Sequence, residues 1–177
     1  LRTYLAGNFS IAIDLPFHLC GISAFVCSIM PFLKNKQGLF NFVYYTGIIG
    51  GLMGILTPQM TDYDGSFYVY FVFYLRHVLI FTMPIFMLRN LNLKLTQKSM
   101  VSTFIILNLL LIFLMPFNFY VGGNYMYLAE PPQVNNPLII GEWPYYVIWF
   151  EVFVIILLVI LYYLSKISFR KTKTELV

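Results

Sequence analysis

Five long apolar runs dominate this chain, each close to the ~20 helical residues needed to cross a hydrocarbon core. They lie near residues 15–33, 38–57, 66–88, 100–121 and 144–164. A soluble domain carries about 25% charged residues. Here 10% are charged, 60% are hydrophobic, and mean hydropathy is +0.79. So apolar a chain cannot cover a water-facing surface, and in lipid its backbone must satisfy its own hydrogen bonds. The expectation is an all-α, polytopic transmembrane helical bundle of five helices. Residues 1–177 form one integral membrane domain, with no room for a separate soluble one. Residues 1–13 read as the end of an earlier helix or an interfacial segment. Residue 1 is leucine, so a native start upstream is expected, and no signal-peptide pattern is seen.

The connections alternate in charge. Lys34 and Lys36 follow the first run, Arg89, Lys94 and Lys98 follow the third, and Lys166, Arg170, Lys171 and Lys173 follow the fifth. The other two connections hold no lysine or arginine and four acids: Asp62, Asp64, Glu130 and Glu142. Basic loops stay cytoplasmic. The expected orientation therefore puts the lysine-rich loops and the 165–177 tail inside and residues 1–14 and the acidic loops outside. A bacterial cell membrane is the expected location. The net charge of +4 is then an orientation signal on short loops, and nucleic-acid binding is excluded. Trp143, Tyr145 and Tyr146 read as an outer aromatic belt, with Pro144 in a first helical turn. Gly47/Gly51 and Gly50/Gly54 read as close-packing pairs. The long outer loop 122–143 is a candidate lid.

Polar groups inside the apolar runs cluster in the outer half, where lipid penalises them by about 2.5–3.5 kcal/mol per charge on insertion scales. They are His18 and Cys20 on the first run, Arg76 and His77 on the third, Asn108 and Asn118 on the fourth, and Glu151 on the fifth. They are expected to share a partly hydrated cavity. Each has a structural alternative. Arg76 and Glu151 can form an ion pair. Asp14 can cap the first helix, Asn108 can be interhelical glue, and Cys20 can be a small hydrophobe. Cys20 and Cys27, about 10 Å apart along one helix, cannot form a disulfide; Cys27 reads as inert. His18 and Cys20 point to opposite sides of a helix, which leaves His77 as the base for a Cys20 thiolate. A cysteine–histidine pair at the depth of lipid esters favours acyl transfer through a thioester.

LPFHLC at Leu15–Cys20, the Arg76–His77 helix, GGNYMYL at Gly122–Leu128 and GEWPYY at Gly141–Tyr146 resemble one polytopic family. It comprises transmembrane protein 164 and the bacterial YwaF-like integral membrane proteins, and the likeness runs from about Leu15 to about Tyr163. It implies a phospholipid acyltransferase with Cys20 as nucleophile and His77 as partner. It also implies one or two helices upstream of residue 1, six or seven in the intact protein. His18, Arg76, Asn108, Asn124, Glu151 and Asp14 are the supporting candidates: Asn124 or Asn108 for the oxyanion, Arg76 for phosphate or for balancing Glu151. Both substrates, a membrane phospholipid and a lysophospholipid, come from the bilayer. No cofactor or metal is expected. A lipid hydrolase using the same residues, and a transporter or lipid-binding protein without chemistry, are the alternatives.

Overall fold

A computed structural model describes residues 7–60, 63, 65–134 and 139–172, with side chains as far as Ile167. Asp62, Asp64 and Lys173 lie outside the described residues. Among those described, five α-helices carry the fold: α1 (Leu19–Ile29), α2 (Gln37–Leu56), α3 (Phe67–Asn90), α4 (Gln97–Val121) and α5 (Tyr145–Thr172). A 3-10 turn, Met30–Phe32, extends α1. Four helices, α2 to α5, are long and apolar enough to cross a membrane, and the chain is an integral membrane protein.

The first run departs from expectation. With its 3-10 extension it reaches only from Leu19 to Phe32, roughly 22 Å at helical rise against a hydrocarbon core of about 30 Å. Pro16 supplies no N–H and biases Leu15 toward extended backbone. The Leu15 N–H is moreover given to the Tyr125 hydroxyl at 3.0 Å. The segment before Leu19 is therefore non-helical. Asp14 is not the cap: the N-cap is His18, and no side chain caps this helix.

Helix α2 is central. Over its apolar window 56% is buried, against 11% for α4 and for α5, so those two present most of their surface to lipid. Its glycines explain the packing. A Cβ at Gly47 would lie 2.6 Å from the Ile80 carbonyl oxygen, and one at Gly51 2.8 Å from that of His77. The α2–α3 contact is the most extensive in the fold, and α1 packs on both. Polar pairs lock the seams: Ser23 donates to Thr46 at 3.0 Å, Thr103 to the Asn41 carbonyl at 3.2 Å, and Tyr44 to the Leu161 carbonyl at 3.2 Å. Helix α3 is N-capped by Ser66, and α4 opens with a Thr96–Ser99 capping box and closes on Gly122 at φ +66°.

Candidate functional site

Cys20 lies in the first turn of α1, which has neither a side-chain cap nor an acidic residue. The backbone N–H groups of a first turn lack intrahelical partners, and the helix dipole adds positive potential there. The half-buried thiol is free. The chain before it doubles back closely: a Cβ at Gly21 would sit 2.9 Å from the Pro16 carbonyl oxygen.

Over this turn folds the segment Gly122–Glu130. Gly123 passes so near the Ala12 carbonyl that a Cβ there would lie 2.7 Å from its oxygen. Asn118, fully buried in the last turn of α4, accepts from the Tyr125 N–H at 2.8 Å and donates to the Tyr125 carbonyl at 2.9 Å. The Tyr125 hydroxyl donates to the Ile11 carbonyl at 2.6 Å while accepting from Leu15. Met126 N–H donates to His18 Nδ1 at 3.3 Å, and the Tyr146 hydroxyl donates to the Tyr127 carbonyl at 2.6 Å. Tyr146 is thus buried beneath the segment and not part of the interfacial belt, whereas Trp143 and Tyr145 are exposed. Met126 and Tyr127 take φ of +55° and +57°, a conformation costing ordinary residues about 1–2 kcal/mol each. Strain of this kind persists only where surrounding bonds over-determine it.

His18 lies between Tyr125 and Tyr127, each ring centroid 5.4 Å away. Burial first, then the Arg76 guanidinium, holds its pKa below the ordinary 6.5, and Nδ1 accepts the Met126 N–H. Burial, and secondarily the Cys20 thiol, pushes the Tyr127 phenol upward. Cys20, Tyr127 and His18 therefore share one neighbourhood.

His77 sits on α3 at 2% exposure. Its Nδ1 donates to the Phe73 carbonyl at 2.7 Å, which leaves Nε2 as the basic nitrogen. The ring lies against Gly54, where any Cβ would collide with Cδ2 and Nε2. The Cys20 backbone rests on Gly50, one turn earlier on α2, a rise of about 6 Å. The two residues thus meet neighbouring positions on one glycine face. His77 Nδ1 is given to Phe73 and His18 Nδ1 to Met126, so neither histidine bonds the thiol through that atom.

The other candidates lie elsewhere. Glu151 takes a hydrogen bond from Asn108 Nδ2 at 3.1 Å between α4 and α5. That bond corrects the expected Arg76–Glu151 pair, because helices α4 and α5 face each other there. Arg76 is exposed on α3. Asp14 accepts from the Ser10 N–H at 2.7 Å. Asn124 Oδ1 takes the N–H groups of Ala129 and Glu130, both at 3.1 Å, and its Nδ2 donates to the Glu130 carbonyl. It is occupied in organising its own loop. Two open apolar recesses, about 520 Å³ along α4 from Leu109 to Tyr120 and about 200 Å³ between α4 and α5, do not include Cys20 or His77.

The sequence pattern of the TMEM164 family matches residues 1–162. An uncharacterized protein of Treponema pallidum (strain Nichols) is 27% identical over 119 residues, covering 67% of this chain and 49% of that protein. The chain thus spans about half the length of this curated relative. No solved structure matches.

Proposed function

Starting from the fact that the chain belongs to the TMEM164 family, we propose that it is a membrane-embedded phospholipid acyltransferase with Cys20 as nucleophile and His77 as base. One observation carries the reading: Cys20 stands in an uncapped first helical turn, one turn along the α2 glycine face from an imidazole whose Nδ1 is fixed by a backbone carbonyl. An orienting group behind the base is what nucleophilic catalysis requires. Nε2 of His77 takes the thiol proton, and Sγ attacks the acyl carbonyl carbon of a glycerophospholipid. The first-turn N–H groups of α1 face the developing oxyanion. The carbon–oxygen bond to glycerol then breaks, and the His77 imidazolium protonates the departing lysolipid. A second lysolipid hydroxyl gives its proton to His77 and attacks the thioester, which releases the thiolate. The loop that covers Cys20 faces the exterior, and the basic connections face the cytoplasm of a bacterial cell.

The test is acyl transfer between labelled phospholipid and lysophospholipid by purified protein, with intact mass measured in parallel. The expected result is a hydroxylamine-labile fatty-acyl adduct on Cys20, absent in Cys20→Ala, and accumulation of that adduct falling steeply in His77→Ala. Undiminished transfer by Cys20→Ala sinks Cys20 as the nucleophile, and no transfer by the wild type sinks the enzyme reading. A lipid-binding or transport role without chemistry is favoured by one observation: among the described residues no hydrogen bond joins the Cys20 thiol to His77 or to His18. Lipid capture with no adduct would establish it. Free fatty acid as product would make the protein a hydrolase.

A further inference from the structure

The end of the bundle opposite Cys20 gathers three separate basic segments onto one loop. Helix α1 runs from Cys20 toward Phe32, α2 begins there at Gln37, α3 ends there at Asn90, and α4 begins there at Gln97. The Gln37 amide clamps Lys94 from both sides: Nε2 donates to the Lys94 carbonyl at 2.8 Å, and Oε1 accepts the Lys94 N–H at 3.2 Å. From α5, Lys166 Nζ donates to the Leu95 carbonyl at 2.8 Å and lies over the Tyr162 ring. Leu93 and Leu95 are buried beneath. The loop is therefore held from two helices, α2 and α5, while Lys34, Arg89, Lys94 and Lys98 stay exposed and Lys36 half-buried.

No acidic residue occurs in 30–37, 89–98 or 165–172. Like charges fixed on a pinned loop repel one another, and nothing within those segments neutralises them. Among them stand apolar side chains: Phe32 is 87% exposed, Leu91 43% and Leu33 37%. All three lie at this end of the bundle, Phe32 and Leu33 after α1 and Leu91 after α3. An acidic soluble partner would match the cations and leave Phe32 in water. A ligand with an anionic head and an apolar body matches both.

We infer that this end of the bundle, with Lys34, Lys36, Arg89, Lys94 and Lys98 gathered around the Gln37–Lys94 clamp, is a binding site for anionic phospholipid headgroups of the adjacent leaflet. The site is independent of the acyl-transfer reading, since its cations lie at the far end from Cys20. The test uses the full chain in nonionic detergent, equilibrated with phosphatidylglycerol or phosphatidylcholine, with retained lipid counted by native mass spectrometry. Phosphatidylglycerol should be retained over phosphatidylcholine and stripped by salt. Each neutralised cation in Arg89→Gln/Lys94→Gln/Lys98→Gln should weaken retention about fivefold. Gln37→Leu leaves every charge in place and unclamps Lys94; it too should lower retention, with circular dichroism confirming an intact fold. Equal retention of the two lipids, or unchanged retention in the triple variant, overturns the inference. So does binding of an acidic peptide without phosphatidylglycerol.

Discussion

Asn118→Ala is the sharpest single perturbation of the covering loop. Asn118 and Tyr125 are both fully buried, and the asparagine amide satisfies the Tyr125 N–H and carbonyl together. Deleting the amide orphans two buried backbone groups at about 1–3 kcal/mol each, a gross cost of ~2–6 kcal/mol. Part of this returns if Met126 and Tyr127 leave their positive-φ conformations, worth about 1–2 kcal/mol apiece. A net loss of ~1–2 kcal/mol remains, or roughly 2–8 °C in thermal midpoint for a chain of this size. Asn118→Asp sets a carboxylate oxygen against the Tyr125 carbonyl in a fully buried site, so it should be at least as destabilising as alanine. Thermal unfolding in detergent gives the midpoint, and amide exchange across residues 123–128 locates the change. Maleimide labelling gives a third readout: Cys20 should react faster in the variant, with buried Cys27 as the internal control. Exchange unchanged in that window, with a stability shift under ~0.5 kcal/mol, would refute the clamp.

Gly54→Ala should push the His77 ring off its seat. Overpacking costs ~1–3 kcal/mol, and transfer activity should fall at least about tenfold because catalysis is unforgiving of displacement. Gly38→Ala, with open space around it, should leave activity unchanged. Loop stability should also depend on pH through His18, whose folded pKa lies below 6.5. Below 6.5 the unfolded chain binds the extra proton first, so stability is full above that value and falls as pH drops. The protection factor of the Met126 amide, corrected for the intrinsic pH dependence of exchange, should fall on acidification, and His18→Gln should flatten the profile. For Asn108 and Glu151, each single change to leucine should cost more than the double change, since a single change leaves a polar group unpaired in the bilayer. A double-mutant thermal-stability cycle reads the coupling, expected at about 1 kcal/mol.

Hydrophobic run length located α2 to α5 well: α2, expected at 38–57, is observed at 37–56, and α3, expected at 66–88, at 67–90. Such runs report transfer free energy, which is local in sequence. What failed was whatever depends on a distant partner. The run from residue 15 is apolar enough for helix, but the Leu15 N–H is taken by a hydroxyl 110 residues away. His18, expected on the helix and turned away from Cys20, instead stands at its N-terminal boundary in extended conformation without capping it. Glu151 has two plausible partners in sequence, and only the facing of α4 and α5 selects Asn108. Asn118 was visible as a polar residue near a helix end. Its task, pairing the backbone of a loop seven residues on, had a local signal in the Gly122–Gly123 that turns the chain back.

The short first helix and the covering loop follow from one requirement. Backbone without helix is expensive at membrane depth unless protein or water meets its polar groups. In residues 10–18 the partners come from the loop and from the segment itself: Tyr125 serves Ile11 and Leu15, Asp14 serves Ser10, and Met126 meets His18. The loop is in turn held by Asn118 and Tyr146. Had α1 continued upward by a turn, carbonyls of residues 15–17 would have taken the N–H groups of Leu19, Cys20 and Gly21. Because the chain unwinds at His18, those donors stay available beside the thiol. Satisfying the unwound backbone through the loop is thus what leaves a positive helix end at Cys20, and a lid mutation should alter that end without touching it.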